Sequence, residues 1–361
     1  MKRVIVSVTN DISTDQRVAK VCKTLIQNNF EILVIGRVLP NSISLKRNYK
    51  IKRFRLLFNS GLFFYAEYNL RLFFYLLFTR KDILLANDLD TLLPNYLISL
   101  LQNTKIVFDS HELFPEIPEL VNRVIVKKVW LSLERWIVPK LKNNYTVCNS
   151  IAEFYKNKYQ TNFETIKNLP TKKEIEKGVF PFDTDGKKII LYQGALNIGR
   201  GIELMIETMH FLENHLLVLI GSGDISASLK DKVSEKNLND KVFFLGKINP
   251  AALHKLTPLA DLGLSLEEDL GLNYRFALPN KIFDYIQGEV PILVSNLPEM
   301  SQVIKVYNVG EIVKNRAPEK LASQIKEVLE KEYTKELKLA KTALIWEQQE
   351  EKLIAIFNNS K

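Results

Sequence analysis

Along this chain, short runs of apolar and mostly β-branched residues alternate with longer stretches in which apolar positions recur every three or four residues. The short runs fall at 3–8, 32–36, 82–86, 105–109 and 145–148, and again at 188–192, 216–221, 242–245, 262–266 and 291–295. Continuous apolar strands separated by helices predict parallel sheets covered on both faces. Between the two sets, 168–187 carries Pro170, Gly178, Pro181 and Gly186 without a sustained period, and reads as a linker. The pattern therefore predicts an α/β protein with two Rossmann-like doubly wound domains, over 1–167 and 188–334. Such domains facing one another would hold a ligand in the cleft, at the carboxyl ends of their strands. The tail 335–361 reads as a final helix, with Leu339, Ala343, Trp346, Leu353 and Phe357 free to pack. A length of 361 residues suits two cores better than one.

Composition narrows the class. With 46% hydrophobic and 25% charged residues the chain reads as soluble and globular. Its two cysteines, Cys22 and Cys148, make neither a disulfide framework nor a metal spacing, which points to a reducing, cytoplasmic setting. The opening MKRVIVSVTND is too short an apolar run for a signal peptide, and no run is long enough to span a bilayer. The net charge of +9 is uneven: residues 1–165 hold 24 Lys+Arg against 14 Asp+Glu, a net of +10. A basic half favours an anionic partner, and without a nucleic-acid-reading motif the membrane surface outranks DNA or RNA. Residues 61–79 are densely aromatic and follow Lys46, Arg47, Lys50, Lys52, Arg53 and Arg55. That helix reads as buried in the first domain, and the basic loop before it as a peripheral membrane contact.

Three segments carry chemistry. In 191–209 a strand ends at Tyr192, Gly194 opens a turn, and Gly199-Arg200-Gly201 lead into a helix. Glycines admit a ligand close to the backbone, a helix N-terminus favours phosphate, and Arg200 offers a two-pronged grip. A plain strand-to-helix turn with a solvated arginine would look the same. In 217–224, Gly221 and Gly223 flank Ser222 at a strand's end, but no third glycine completes a dinucleotide pattern. The first domain's opening loop has no glycine either, so a nicotinamide enzyme is disfavoured. In 277–295, Pro279 and Gly288 bracket a helix on which Lys281 and Asp284, three apart, share a face. A carboxylate there can accept from a ribose diol and a lysine can neutralise phosphate; the plain alternative is a surface ion pair.

These segments, together with 13–25, 86–99 and 108–120, occur in one order from Val4 to Trp346 and resemble family four (group 1) glycosyltransferases of the GT-B fold. The resemblance implies sugar transfer, with retention at the anomeric carbon, from a nucleotide-sugar donor to a glycan or lipid-linked acceptor in surface polysaccharide assembly. It implies no metal and no other cofactor. Carried over by position, Gly194 sits by the diphosphate, Arg200 and Lys281 bind it, and Gly221 and Gly223 lie near the nucleoside. Residues 245–248 flank the base, and Asp284 is the second acidic residue of a Glu-x7-Glu pattern, at the ribose. His111 would approach the donor sugar or acceptor, so His111, Arg200 and Lys281 are the catalytic candidates. Asp15, Asp109, Glu112 and Glu267 are candidate sugar or acceptor contacts. The final helix would cross back to the first domain.

Departures from the family pattern are equally specific. Phe276 stands at the first acidic position, Ala195 replaces a phosphate-binding arginine, and 10–15 replaces a glycine-rich loop. Glu267, Glu268 or Asp269 can supply the missing carboxylate. Asp88-Leu89-Asp90 spells a metal-binding motif of another fold, but reads here as structural or acceptor-side. The missing carboxylate keeps a non-catalytic scaffold open, and the shared fold keeps open a nucleotide-sugar epimerase or hydrolase.

Overall fold

The computed structural model describes residues 1–13, 15–40, 42, 44–117, 120, 123–174 and 176–359. Thr14 of the opening loop, Pro118 and Glu119 of the 108–120 segment, and Ile175 of the expected linker lie outside the described residues. The chain forms two compact units, Met1–Asn168 with Gln349–Lys361, and Leu169–Gln348.

The first unit is built on seven parallel strands: β1 (Lys2–Asp11), β2 (Phe30–Arg37), β3 (Lys50–Phe54), β4 (Ile83–Asn87), β5 (Lys105–Ser110), β6 (Asn144–Thr146) and β7 (Glu164–Thr165). Their order is β3-β2-β1-β4-β5-β6-β7, so the winding reverses between β1 and β4. Among the described residues, α1 (Gln16–Gln27), α2 (Gly61–Phe78), α3 (Leu89–Leu101), α4 (Val124–Ile137) and α5 (Asn149–Tyr159) connect them. Val4, Ile5 and Val6 are fully buried, because a central parallel strand is covered on both faces. α1 starts where it does because the Asp15 carboxylate accepts from the Val18 amide.

The second unit has six parallel strands: β8 (Lys188–Gln193), β9 (His215–Ile220), β10 (Val242–Gly246), β11 (Leu262–Ser265), β12 (Ile292–Val294) and β13 (Gly310–Ile312). They are ordered β10-β9-β8-β11-β12-β13, with the reversal between β8 and β11. Its helices are α6 (Ile202–Thr208), α7 (Ser226–Glu235), α8 (Pro250–Leu256), α9 (Leu272–Arg275), α10 (Asn280–Gln287), α11 (Pro298–Tyr307), α12 (Pro318–Leu329) and α13 (Thr334–Ala343). The stretch expected as a free linker is packed onto this unit. Gly178 N–H donates to Lys255 O at 2.8 Å, and Phe182 stacks on Phe243 at 4.0 Å.

Two expectations are corrected. The single helix over 335–361 is instead α13, a short turn at Trp346–Gln349, and α14 (Glu350–Asn358). Leu344, Ile345 and Trp346 are all buried, and three consecutive buried residues cannot lie on one helical stripe. Only the last part returns to the first unit. There Phe357 meets Phe30 edge-on at 6.2 Å, and the Lys105 ammonium donates to Ile356 O, Phe357 O and Asn359 O at 2.8, 3.0 and 2.7 Å, closing α14's free carbonyls. The second correction concerns α2, which is buried on one side only. Phe64, Tyr68, Leu72 and Leu76 form its inner stripe, while Leu62, Phe63, Leu70, Phe74 and Phe78 are exposed.

Candidate functional site

In the second unit the carboxyl ends of β8, β9 and β11 bring their following loops together. The β8 and β9 loops touch through glycines. Gly194 N–H donates to Ile220 O at 2.9 Å, and Gly221 N–H donates to Gly246 O at 2.9 Å. Gly221 has φ +145°, and a Cβ there would lie 1.8 Å from Gly194 O. Gly201 is as constrained, with φ +70° and Leu266 O only 2.2 Å from the Cβ position. Their spacing in sequence thus encodes backbone-to-backbone contact. Gly221→Ala is expected to destabilise this unit by ~3 kcal/mol, from overpacking plus an unfavourable φ. A lowered unfolding midpoint by denaturant checks it, and an unchanged midpoint would refute the contact.

A charged cluster sits beside those loops. Lys281, in the first turn of α10, places its Nζ 2.6 Å from Glu267 Oε1, and Ser265 Oγ donates to Glu267 Oε2 at 2.7 Å. Arg200 Nη1 lies 3.7 Å from the same Oε1. Glu267 is 1% exposed and Lys281 7%. Burial alone would raise the Glu267 pKa, but the Lys281 charge and hydrogen bond, the Ser265 hydroxyl and Arg200 hold it below the usual range. Burial lowers the Lys281 pKa, which the Glu267 charge opposes. The Lys281 ammonium also lies 4.1 Å from the Tyr192 ring centre, and the Arg200 guanidinium 5.5 Å from that of Tyr274. A Cβ on Gly194 would stand 3.6 Å from Lys281 Cε. Gly194, Arg200, Glu267 and Lys281 therefore converge, two cations around one buried carboxylate.

Lys281 and Asp284 do not behave as the surface pair their spacing allows. Lys281 turns to Glu267, while Asp284 Oδ2 accepts from Gln193 Nε2 at 3.1 Å and Gln193 Oε1 accepts from Thr257 Oγ1 at 2.8 Å. Of the other acids near Phe276, Asp269 pairs with Arg275 at 2.7 Å and Glu268 lies 3.9 Å from Arg316. Gly223 packs against the β8 loop, where its Cβ would meet Asn197 Oδ1 at 2.2 Å. Leu245 and Ile248 line an apolar hollow of about 350 Å³ with Gly178, Val179 and Pro181. Tyr192, Gln193 and Thr257 were not singled out in the sequence, since an aromatic, an amide and a hydroxyl in or beside apolar runs carry no pattern of their own.

In the first unit His111 follows β5 and is held at three points. Its backbone N–H donates to Asp88 Oδ1 at 2.7 Å, Nδ1 faces Asp88 Oδ2 at 3.2 Å, and Nε2 faces Asp109 Oδ2 at 2.8 Å. Asp109 is in turn gripped by Arg17, Nε to Oδ2 and Nη2 to Oδ1, both at 2.9 Å, and Arg17 Nη1 donates to Ile166 O at 2.8 Å. Both ring nitrogens face carboxylates, so both donate, and the imidazole is a cation. Burial would lower its pKa, but Asp109 and Asp88 raise it well above the usual histidine range. Against its own burial, Arg17 and His111 hold Asp109 at about 2. Asp90 differs: burial and the neighbouring Asp88 charge push it up to about 8, against the Thr9 hydroxyl that donates to it at 2.5 Å. Asp88 and Asp90 thus point to different partners. Among the described residues no three His, Cys, Asp or Glu side chains are grouped to hold a metal. Asp15 is spent on capping α1, and the Glu112 carbonyl accepts from Ser110 Oγ at 3.0 Å.

Residues 173–346 match the family model described as glycosyl transferases group 1. The chain is 31% identical over 150 residues to an uncharacterized glycosyltransferase, MJ1607, of Methanocaldococcus jannaschii, a match over 40% of this chain and 36% of that protein. It thus spans about a third of the length of that relative. Among solved structures, sucrose-phosphate synthase (tll1590) from Thermosynechococcus elongatus superposes with TM-score 0.79 at 14% identity, over 99% of this chain and 98% of that one. Anabaena Alr3699/HepE, in complex with UDP and glucose, gives 0.73 at 12% identity over 99% of both chains. At such identities the likeness is one of fold, and that fold is GT-B. The match over 173–346 goes further, because it covers nearly all of the unit that carries Gly194, Arg200, Glu267 and Lys281: that part of the chain belongs to group 1 of the glycosyl transferases.

Proposed function

We propose that the protein is a retaining glycosyltransferase, of family four within group 1, that moves a sugar from a nucleotide-sugar donor to a glycan or lipid-linked acceptor in surface polysaccharide assembly at the cytoplasmic face of the membrane. The observation that carries the reading is the meeting of Arg200 and Lys281 around Glu267 beside the glycine contact of Gly194 and Gly221. Two cations against one carboxylate leave a net positive site, which a donor diphosphate would neutralise. Negative charge grows on the leaving diphosphate as the glycosidic bond breaks, so fixed cations there stabilise the transition state more than the ground state. Asp284 accepts from the ribose, the loop that Gly221 and Gly223 hold against the end of β8 borders the nucleoside, and neither a metal nor any other cofactor takes part. Glu267, its side chain enclosed and both oxygens engaged by Lys281 and Ser265, orients Lys281 and does not itself meet the sugar in place of the carboxylate that Phe276 lacks. His111, a cation clamped by Asp88 and Asp109, acts by its charge rather than as a general base.

Thermal stabilisation tests the donor without knowing the acceptor, since a ligand that binds only the folded state raises the melting temperature. UDP comes first, because HepE binds UDP with glucose. A shift with one nucleoside diphosphate, equal with and without a divalent cation, is the expected result, and a shift with NAD alone would overturn the reading. In the same assay Asp284→Ala is expected to weaken that nucleotide about 10- to 100-fold, the loss of charge-assisted hydrogen bonds to a diol. Normal affinity in the variant would remove Asp284 from the ribose.

A further inference from the structure

The first unit turns apolar side chains outward where the chain runs from β3 into α2. Leu57 is 80% exposed, Phe58 48%, Leu62 69% and Phe63 66%. A lone exposed leucine is ordinary. Here the group is held in place. The Glu67 carboxylate accepts from the Leu57 and Phe58 amides at 2.9 and 3.0 Å, Arg71 pairs with Glu67 at 2.8 Å, and Arg37 donates to Asn59 O at 2.9 Å. The Phe58 and Phe63 rings lie 5.3 Å apart. A bend whose free amides are satisfied by a side chain keeps its apolar residues outside at little further ordering cost.

The position of this tip matters as much as its composition. All strands of the sheet are parallel, so α2 and α4 both begin at the carboxyl edge, the edge that also carries Asp109 and His111. α4 opens there with Val124 and Ile125, 60% and 80% exposed. Tyr65 of α2 meets Trp130 of α4 at 5.1 Å, which ties the two helices together. The same segments carry exposed cations: Arg55 just before the tip, Arg71 on α2, and Arg123 and Lys128 at the start of α4. No helix among the described residues is long and apolar enough to cross a membrane.

We propose that this edge is a docking face for an anionic bilayer, in which residues 57–63 and the start of α4 enter the interfacial layer while the flanking cations meet lipid phosphates. A second copy of the chain is the poorer occupant, because a two-fold contact through this face would set the cations against their own images. The consequence for the function proposed above, on which this clause alone rests, is that an acceptor anchored in the bilayer would reach the sheet edge of His111 without leaving the membrane.

The test is sedimentation with vesicles of phosphatidylcholine alone and of an equal mixture with phosphatidylglycerol, at low and high salt. Binding to the mixture, weakened by salt, is expected of the natural protein. Phe58→Ser combined with Phe63→Ser should lower the partition at least ~10-fold, by the area withdrawn from the interface, with the fold retained by circular dichroism, since Phe58 and Phe63 are 48% and 66% exposed. No binding of the natural protein to the mixture, or equal binding by the double variant, would overturn the proposal. So would a dimer by light scattering that the variant disperses, which would make the face a self-association surface. Vesicle binding by a protein that no nucleotide stabilises would uphold the docking face and remove the donor reading.

Discussion

Lys281→Ala is expected to lower kcat about 100- to 1000-fold, the scale on which a fixed charge at a developing anion acts, and to destabilise the second unit as well. From spacing alone, Lys281 and Arg200 look interchangeable, two exposed cations whose loss would spare the fold. The structure separates them. Lys281 is 7% exposed and bonded to Glu267, itself 1% exposed. Removing the ammonium strands a buried carboxylate, at a cost on the order of 3–5 kcal/mol. Arg200 keeps 30% of its side chain exposed and stands 3.7 Å from Glu267, so Arg200→Ala should lose turnover with a stability change of about 1 kcal/mol or less. Adding Glu267→Gln to Lys281→Ala should restore most of the stability and none of the rate. Steady-state turnover and urea midpoints measured on the three variants decide it. Full activity of Lys281→Ala would remove the diphosphate role, and an unshifted midpoint would remove the buried pair.

What the sequence showed clearly was what repetition makes visible. All ten predicted strands are present: nine lie inside their sheets, where a strand covered on both faces is apolar throughout, and the tenth, β10, is an edge strand that is apolar all the same. The three it did not show, β3, β7 and β13, are all sheet edges: Lys50–Phe54 is basic, Glu164–Thr165 is two residues long, and Gly310–Ile312 opens on a glycine. Half-solvated strands need no apolar run, and charge on an edge discourages pairing with other chains. α2 misled for a related reason. Its sequence is apolar all round, which reads as burial, yet only the stripe at Phe64, Tyr68, Leu72 and Leu76 is covered.

The site divides along the same line. Glycine–cation segments announce themselves because only particular residues tolerate a backbone in contact with another backbone, as at Gly221 and Gly201. Glu267 was visible only as one of three adjacent acids, and nothing local distinguishes the one turned inward from the two that pair with Arg275 and Arg316. The partner of Arg17, 92 residues away at Asp109, has no spacing to read at all. Tertiary pairs of this kind are set by sheet order, and sheet order is the one property that alternating strands and helices leave open.

Raising the pH from 6 to 8 is expected to loosen the first unit, and the sign follows from two raised pKa values. His111 lies well above its ordinary value, mainly through Asp109 and Asp88 acting against burial, and Asp90 is pushed up to about 8 by burial and Asp88. In the unfolded chain these groups release their protons near about 6.5 and 3.9. The native unit therefore holds protons that the unfolded chain has lost, and stability falls as pH climbs: across roughly pH 4 to 8 for Asp90, and above roughly 6.5 for His111. Where the windows overlap the slope is at most about 2–3 kcal/mol per pH unit for two protons. Asp109 works in the opposite direction. Held at about 2, it adds stability that is lost only as pH falls below roughly 4, so it does not contribute to the alkaline change. Trp130 and Trp136 lie in this unit and Trp346 in the other, so fluorescence in Trp346→Phe follows its unfolding separately. Urea midpoints should drop steadily from pH 6 to 8, Asp90→Asn should remove the part below 6.5, and a midpoint flat across the range would mean that neither proton is held.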